Sequence, residues 1–235
     1  EILEMLAEES YDGEEIVDVT STAVEMGVRK VRLTGGEPLV RRGVVELVRM
    51  LSGIEDIADL SMTTNGLLLA GFARPLAEAG LQRVNVSLDA VEPARYAQIT
   101  RGGDVERAIS GIRAAVRAGL TPVKINCVIM EPGLRRDADE VARFSAAEDL
   151  EVRFIRRMRL TTGEFTVVEG GTGGDCAACT RLRLTASGEL RPCLFSDLAF
   201  NVRTYGARDA IRRAVAAKPA KGTTCRTSAF RSIGG

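Results

Sequence analysis

Apolar positions in the first two thirds of the chain alternate between two spacings, one close to two residues and one close to the helical repeat. From Asp12 onward, Ile16, Val17, Val19, Ala23, Val24 and Met26 fall on or near one helical face, and Gly27 stops the pattern. Period-two runs predict strands at 30–34, 60–63, 83–88, 123–129 and 151–155. Between them the spacing predicts helices at 43–52, 71–79, 94–99, 105–118 and 138–147. Five strands separated by helices over residues 10–156 imply an α/β fold, with a parallel sheet and right-handed crossovers. An open doubly wound sheet and a barrel or part-barrel share that signature. A polar residue stands at the end of each strand: Thr34, Thr63, Ser87, Asn126 and Arg153. In a barrel those ends form one rim, and in an open sheet they gather at a switch point, so the catalytic face is expected on that side.

The pattern changes after Met158. Residues 161–175 are rich in Gly and Thr and read as loop with one short strand at 165–168. A cysteine-bearing stretch follows, then a helix at 207–217 and an irregular tail from Ser228 to Gly235. The break near residue 160 divides the chain into 1–158 and 159–235.

Composition changes this picture in four ways. Apolar content of 45% supports a sizeable core, while zero formal charge, 4% aromatics and no Trp argue against a nucleic-acid partner. No apolar run reaches the length of a membrane span and no leader opens the chain at Glu1, so no membrane partner is expected. Five cysteines, three of them clustered, do not form a disulfide framework; a reducing, cytoplasmic setting fits them better. Basic residues are nearly all Arg, and the scarce lysines, at 30, 124, 218 and 221, are the more informative ones.

The densest chemistry lies in Cys176-Ala-Ala-Cys179-Thr-Arg181-Leu182-Arg183, followed by Gly188, Pro192 and Cys193. Gly188 and Pro192 suggest a hairpin that returns Cys193 to the first two thiols. With no His in the chain, structural zinc would need Cys225 or Asp175 as a fourth ligand. Three thiolates alone suit a [4Fe–4S] cluster with one open iron. Arg181 and Arg183 share a strand face and would hold an anion bidentately beside it. Cys127, in an apolar strand, reads as a core residue.

On the sheet side, Gly35-Gly36-Glu37-Pro38 after the first strand is a backbone-access loop, neither a Walker nor a Rossmann motif. Glu37 there could accept from an ammonium. Lys30 and Arg32 share one face of that strand, and Lys124, between Val123 and Ile125, is costly to bury without an anionic partner, as is Arg153. Arg156 and Arg157 read as solvent-facing, and the carboxylate pairs Glu14–Glu15 and Asp137–Asp139 as solvated helix faces.

Arg32-Leu-Thr-Gly-Gly-Glu-Pro, Thr63-Thr-Asn-Gly66, Asn85-Val-Ser-Leu-Asp89 and Lys124-Ile-Asn resemble the radical S-adenosylmethionine (SAM) superfamily. With Arg153-Phe-Ile, the C-x2-C-x-R-x-R array and the Gly234-Gly235 end, they resemble one family in it: the GTP 3′,8-cyclases of molybdenum cofactor biosynthesis. The resemblance covers about residues 12–158 and 176–235. It implies an incomplete (β/α)6 TIM-type barrel with a C-terminal cluster-binding extension. It also implies cyclisation of GTP to (8S)-3′,8-cyclo-7,8-dihydroguanosine 5′-triphosphate, begun by a deoxyadenosyl radical that takes the ribose 3′ hydrogen. By the same resemblance, Gly36, Ser87 and Met158 contact SAM; Arg32, Thr63, Lys124, Arg181, Leu182 and Arg183 contact GTP; and Cys176, Cys179 and Cys193 hold a [4Fe–4S] cluster. Implied partners are an electron donor, the next enzyme of molybdopterin synthesis and a second copy in a homodimer. The family's C-x3-C-x2-C loop, ligand of a second [4Fe–4S] cluster, lies ahead of the point matched by Glu1, and the family has several dozen more residues between Met158 and Cys176. The chain as written is therefore expected not to generate the radical by itself. A degenerate GTP-binding Fe–S relative and a zinc-stabilised binding module are the competing expectations.

Overall fold

A computed structural model describes residues 11–129, 135–157, 166–171 and 174–222. The chain enters through Asp12, whose carboxylate accepts from the Glu15 amide at 2.8 Å while Glu15 accepts from the Asp12 amide at 3.1 Å. This reciprocal cap satisfies two otherwise orphaned donors and starts α1, Gly13–Glu25. The parallel strands are β1 (Lys30–Leu33), β2 (Asp59–Thr64), β3 (Arg83–Ser87), β4 (Lys124–Ile129) and β5 (Glu151–Arg156). Between them run α2 (Val44–Ser52), α3 (Leu69–Glu78), α4 (Pro93–Thr100), α5 (Val105–Arg117) and α6 (Arg136–Ala147). Glu92 caps α4 and Asp104 caps α5, as expected where each helix follows a loop.

Strand order is β1-β2-β3-β4-β5, with no reversal. That settles what the βα pattern left open, because a doubly wound sheet reverses direction at a switch point and a barrel wall does not. Among the described residues β1 and β5 do not pair, so the wall is open, a partial TIM-type barrel. Right-handed crossovers then put the helices on one face. On that face Leu60, Met62, Val84, Val86, Ile125 and Cys127 pack with Leu47, Leu51, Leu76 and Ile112 in one continuous core. The opposite face carries the alternate, polar residues.

The C-terminal part is a separate antiparallel sheet in the order β6 (Arg183–Leu184), β7 (Glu189–Arg191), β8 (Phe200–Asn201), followed by α7 (Val202–Tyr205) and α8 (Ala207–Ala216). The hairpin foreseen from Gly188 is present, and Arg183 pairs with Arg191 across it. Gly188 has φ +77°, and a Cβ there would lie 1.9 Å from the Tyr11 ring, so no other residue fits. Tyr11, Val19, Leu190, Val202, Ala210, Ile211 and Ala214 form a second, smaller core. Helix α1 thus serves two cores: Ile16 touches both, Val17 the sheet core and Val19 the smaller one.

Three expectations need correction. Of the short strand at 165–168, residues 166–168 are irregular; Glu169 instead makes a single antiparallel bridge to Phe154, and Phe165 lies outside the described residues. Glu15 is not simply solvated, since it pairs with Arg203 at 2.8 Å, and Asp137 pairs with Arg95 at 2.8 Å. Such pairs join helix surfaces, which local sequence does not reveal.

Candidate functional site

Register builds the polar face rung by rung. Arg32 lies beside Ser61, which lies beside Arg83. The next rung is Thr63, Asn85, Lys124 and Glu151, and the third is Ser87, Asn126 and Arg153. Arg32 Nε donates to Ser61 Oγ at 3.4 Å, Asn85 Nδ2 to Thr63 Oγ1 at 3.3 Å, and Arg83 pairs with Asp59. Lys124 is not unpaired: its Nζ meets Glu151 Oε2 at 2.5 Å. Arg153 Nε is buried and has no partner among the described residues. Arg156 and Arg157 are exposed, as expected.

The cations on this face crowd one another. Solvent still reaches Arg32 along its open flank, but the protein around it depresses its pKa, and Arg83, Arg181 and Arg153 add repulsion against Asp59 alone. Burial also lowers Arg153, followed by Arg83, with Glu151 opposing and Arg181 adding to the push. Burial lowers Arg183, and Arg181 lowers it further. Arg181 is the common neighbour, so the segment between the cysteines and β6 approaches the sheet's polar face. Among the described residues Arg32, Arg83, Lys124, Arg153 and Arg181 are set there against Asp59 and Glu151, an excess of positive charge suited to a polyanion. Leu182, between the two arginines, turns its side chain to the smaller core. That leaves its backbone for any ligand contact.

The rim next to this face is set by Glu37. Its Oε1 accepts from Thr64 Oγ1 at 2.7 Å and from the Leu39 amide at 3.1 Å, and its Oε2 accepts from the Asn65 amide at 2.7 Å. Glu37 therefore ties the Gly35-Gly36 turn to the end of β2 rather than waiting for an ammonium. Open space surrounds a Cβ built at Gly36, and Ser87 is exposed at the end of β3, on the same rim. Asp89, just beyond, accepts from the Val128 amide at 2.7 Å and pins β3 to β4. Met158 lies outside the described residues.

Cys176, Cys179 and Cys193 are unpaired and half-buried, and Cys127 is buried in the main core with its thiol pushed up to about 12 by burial, then by Asp89 and Asp137. Burial works against Cys179 ionisation, but the Arg181 amide, Lys218, Arg181 and Arg183 together hold its thiol below the usual range. Cys193 and Cys179 both oppose that fall at Arg183, so both thiols lie near its guanidinium. The Cys179 amide donates to the Cys176 carbonyl at 3.2 Å in a tight turn. Among the described residues no three Cys, Asp or Glu side chains converge closely enough to hold an ion as they stand. The donor set still fits an iron–sulfur group: three half-buried thiols amid cations and no imidazole. Asp175, the zinc alternative, accepts from the Ala177 and Ala178 amides as a turn cap, and Cys225 lies outside the described residues.

Sequence reasoning missed the clamp by Glu37, the pairing of Arg83 with Asp59, and Lys218, which meets the cysteine segment. The scarcity of Lys was the one available signal for the last.

Residues 6–145 match the radical SAM superfamily. GTP 3′,8-cyclase of Petrotoga mobilis is 37% identical over 260 residues, covering 88% of this chain and 80% of the relative. That of Pelotomaculum thermopropionicum is 39% identical over 251 residues, covering 87% and 77%. Both alignments are longer than the 235-residue chain, so these relatives carry internal residues that it lacks. Among solved structures, anSMEcpe with bound AdoMet and a Kp18Cys peptide aligns with TM-score 0.62 at 13% identity, over 95% of this chain and 80% of that one. SuiB of Streptococcus suis bound to S-adenosylmethionine aligns with TM-score 0.59 at 15% identity, over 82% and 56%. At those identities the structures speak for the fold alone.

Proposed function

This chain belongs to the radical SAM superfamily and, within it, to the GTP 3′,8-cyclase family, and we propose that its polar sheet face and its cysteine segment together form a GTP site next to a SAM site. The reaction is the cyclisation of GTP to (8S)-3′,8-cyclo-7,8-dihydroguanosine 5′-triphosphate, the first step of molybdenum cofactor synthesis. SAM, with the superfamily's [4Fe–4S] cluster, supplies the radical chemistry. This chain's residues supply grip, orientation and exclusion of water.

Arg32, Lys124, Arg181 and Arg183 hold the triphosphate, and Arg153, whose Nε has no partner among the described residues, joins them. Thr63 contributes a hydroxyl from the middle rung and Leu182 its backbone. On the rim, Gly36 and Ser87 take SAM, with Met158 as a further contact. Cys176, Cys179 and Cys193 hold a second [4Fe–4S] cluster on the GTP side, where an open iron would take a base nitrogen or oxygen. The division at 158/159 separates barrel from cluster extension, with α1 packed on both. The same reading implies an electron donor, hand-over to the next enzyme of molybdopterin synthesis, a homodimer and a cytoplasmic setting. No described helix is long and apolar enough to cross a membrane.

The observation that carries this reading is that Arg32, Arg153 and Arg183 all have Arg181 as a repelling neighbour, with Asp59 and Glu151 the carboxylates set against the first two among the described residues. Calorimetric titration of the iron-loaded protein with GTP tests it. Arg181→Ala and Arg183→Ala are each expected to weaken binding by about 1.5–3 kcal/mol, the loss of a charge-assisted bond. Unchanged affinity in both variants, or equal affinity for GTP and ATP, contradicts it.

A further inference from the structure

Lys218 ties the cysteine segment to the end of α8 through three contacts of one ammonium. It follows α8, with its amide bonded to the Val215 carbonyl at 3.2 Å, and its side chain is drawn inward. Its Nζ donates to the Arg181 carbonyl at 2.7 Å and to the Pro192 carbonyl at 3.0 Å, and it lies 3.8 Å from Cys179 Sγ. An ammonium has three donors and no acceptor, so all three are in use. The two carbonyls belong to the segments on either side of the β6–β7 hairpin, one just after Cys179 and one just before Cys193. A single cation thus closes the gap between the two pieces of chain that carry the thiols.

We propose that Lys218 is a positioning residue for the C-terminal iron–sulfur cluster. It holds the Cys179 and Cys193 segments in register and places a fixed positive charge against a ligand sulfur. This rests on the reading of Cys176, Cys179 and Cys193 as cluster ligands. Charge and hydrogen bonds at ligand sulfurs set a cluster's reduction potential, and a cation there favours the reduced, more negative form. A lysine that merely tied a loop would leave that potential alone.

The experiment uses the whole chain, loaded anaerobically with iron and sulfide. The parent and a Cys176→Ser/Cys179→Ser/Cys193→Ser variant come first. Equal iron uptake by the two contradicts the cluster reading itself and is thereby told apart from failure of the present proposal. With a loaded parent, Lys218→Met is expected to keep the parent's far-ultraviolet circular dichroism, to lose iron to a chelator several-fold faster, and to titrate at a more negative midpoint potential. Lys218→Arg, which keeps the charge, is expected to stay nearer the parent potential. If Lys218→Met does not fold, Lys218→Gln, which keeps donors without charge, replaces it in the same comparison. The potential decides: a fall on loss of the charge supports the role, and a midpoint equal to the parent's overturns it.

Discussion

The two sheets of this molecule are built on different terms. The five-stranded wall has a continuous core in which Val48, Leu51, Met62, Leu76, Val84, Val86 and Ile112 are fully buried, and side-chain caps start two of its helices, α4 and α5. The three-stranded sheet has strands of two or three residues and, among the described residues, a core of seven buried ones, two of which, Tyr11 and Val19, come from α1 and the residues just before it. A small sheet of this kind cannot bury enough apolar surface alone, and such modules borrow stability from neighbours or from bound metal. The wall can therefore keep its shape while the cysteine module loosens. A site made by laying one on the other then depends on whatever holds the weaker part in place.

Removing the borrowed part should separate the two most sharply. Tyr11 is almost fully buried, lies under the Gly188 turn and is bonded through its amide to the Ala186 carbonyl at 2.7 Å. Tyr11→Ala is expected to cost about 3–5 kcal/mol, the range for large aromatic truncations. Hydrogen exchange should rise through β6–β8 and α8 and stay unchanged in β2–β4. A uniform rise would mean one cooperative unit, with no asymmetry between the sheets.

A smaller effect is expected at the rim of the wall. Glu37→Ala leaves the Thr64 hydroxyl and the Asn65 amide without their acceptor, at about 1–3 kcal/mol if they stay buried. Because Glu37 shapes the Gly35-Gly36 turn, SAM affinity should fall while GTP affinity, set on the other part of the face, holds. Equal losses for both ligands would show that the two subsites are not independent.

The smallest expected effect depends on pH. Arg203 first, then the Asp12 amide, hold the Glu15 carboxyl below its ordinary value against slight burial. A carboxylate depressed in the folded state stabilises above its unfolded pKa, and that contribution is lost as pH falls through the folded one. Contact between α1 and the small sheet should therefore weaken on acidification through and below the ordinary glutamate range, seen as rising exchange in α7. Glu15→Gln should remove that pH dependence; an unchanged acid profile would place its origin elsewhere.

How much of this was legible in the sequence follows the same divide. The βα alternation was readable because strand period, helix period and caps such as Asp12 and Asp104 are local signals. Sequential strand order was not, since a doubly wound sheet shows the same alternation. Glu37 was given a ligand role because its partners, Thr64 and Asn65, are 27 and 28 residues away. The strands β6–β8 are too short to carry a period, and only Gly188, Pro192 and the alternation of Arg181 with Arg183 mark them. The arginines at 181 and 183 stood out by their spacing, but their approach to Arg32 and Arg153 is a tertiary fact. The double service of α1 was hidden for the same reason: one amphipathic pattern does not say how many cores it meets.

The central claim is that GTP is held between the polar face of the wall and the cysteine segment. Hydrogen exchange on the iron-loaded protein, with and without GTP, tests it most directly. Protection is expected to appear together in β1, in β4 and across residues 176–184. GTP-dependent protection confined to one of the two sheets, or absent from both, would contradict it.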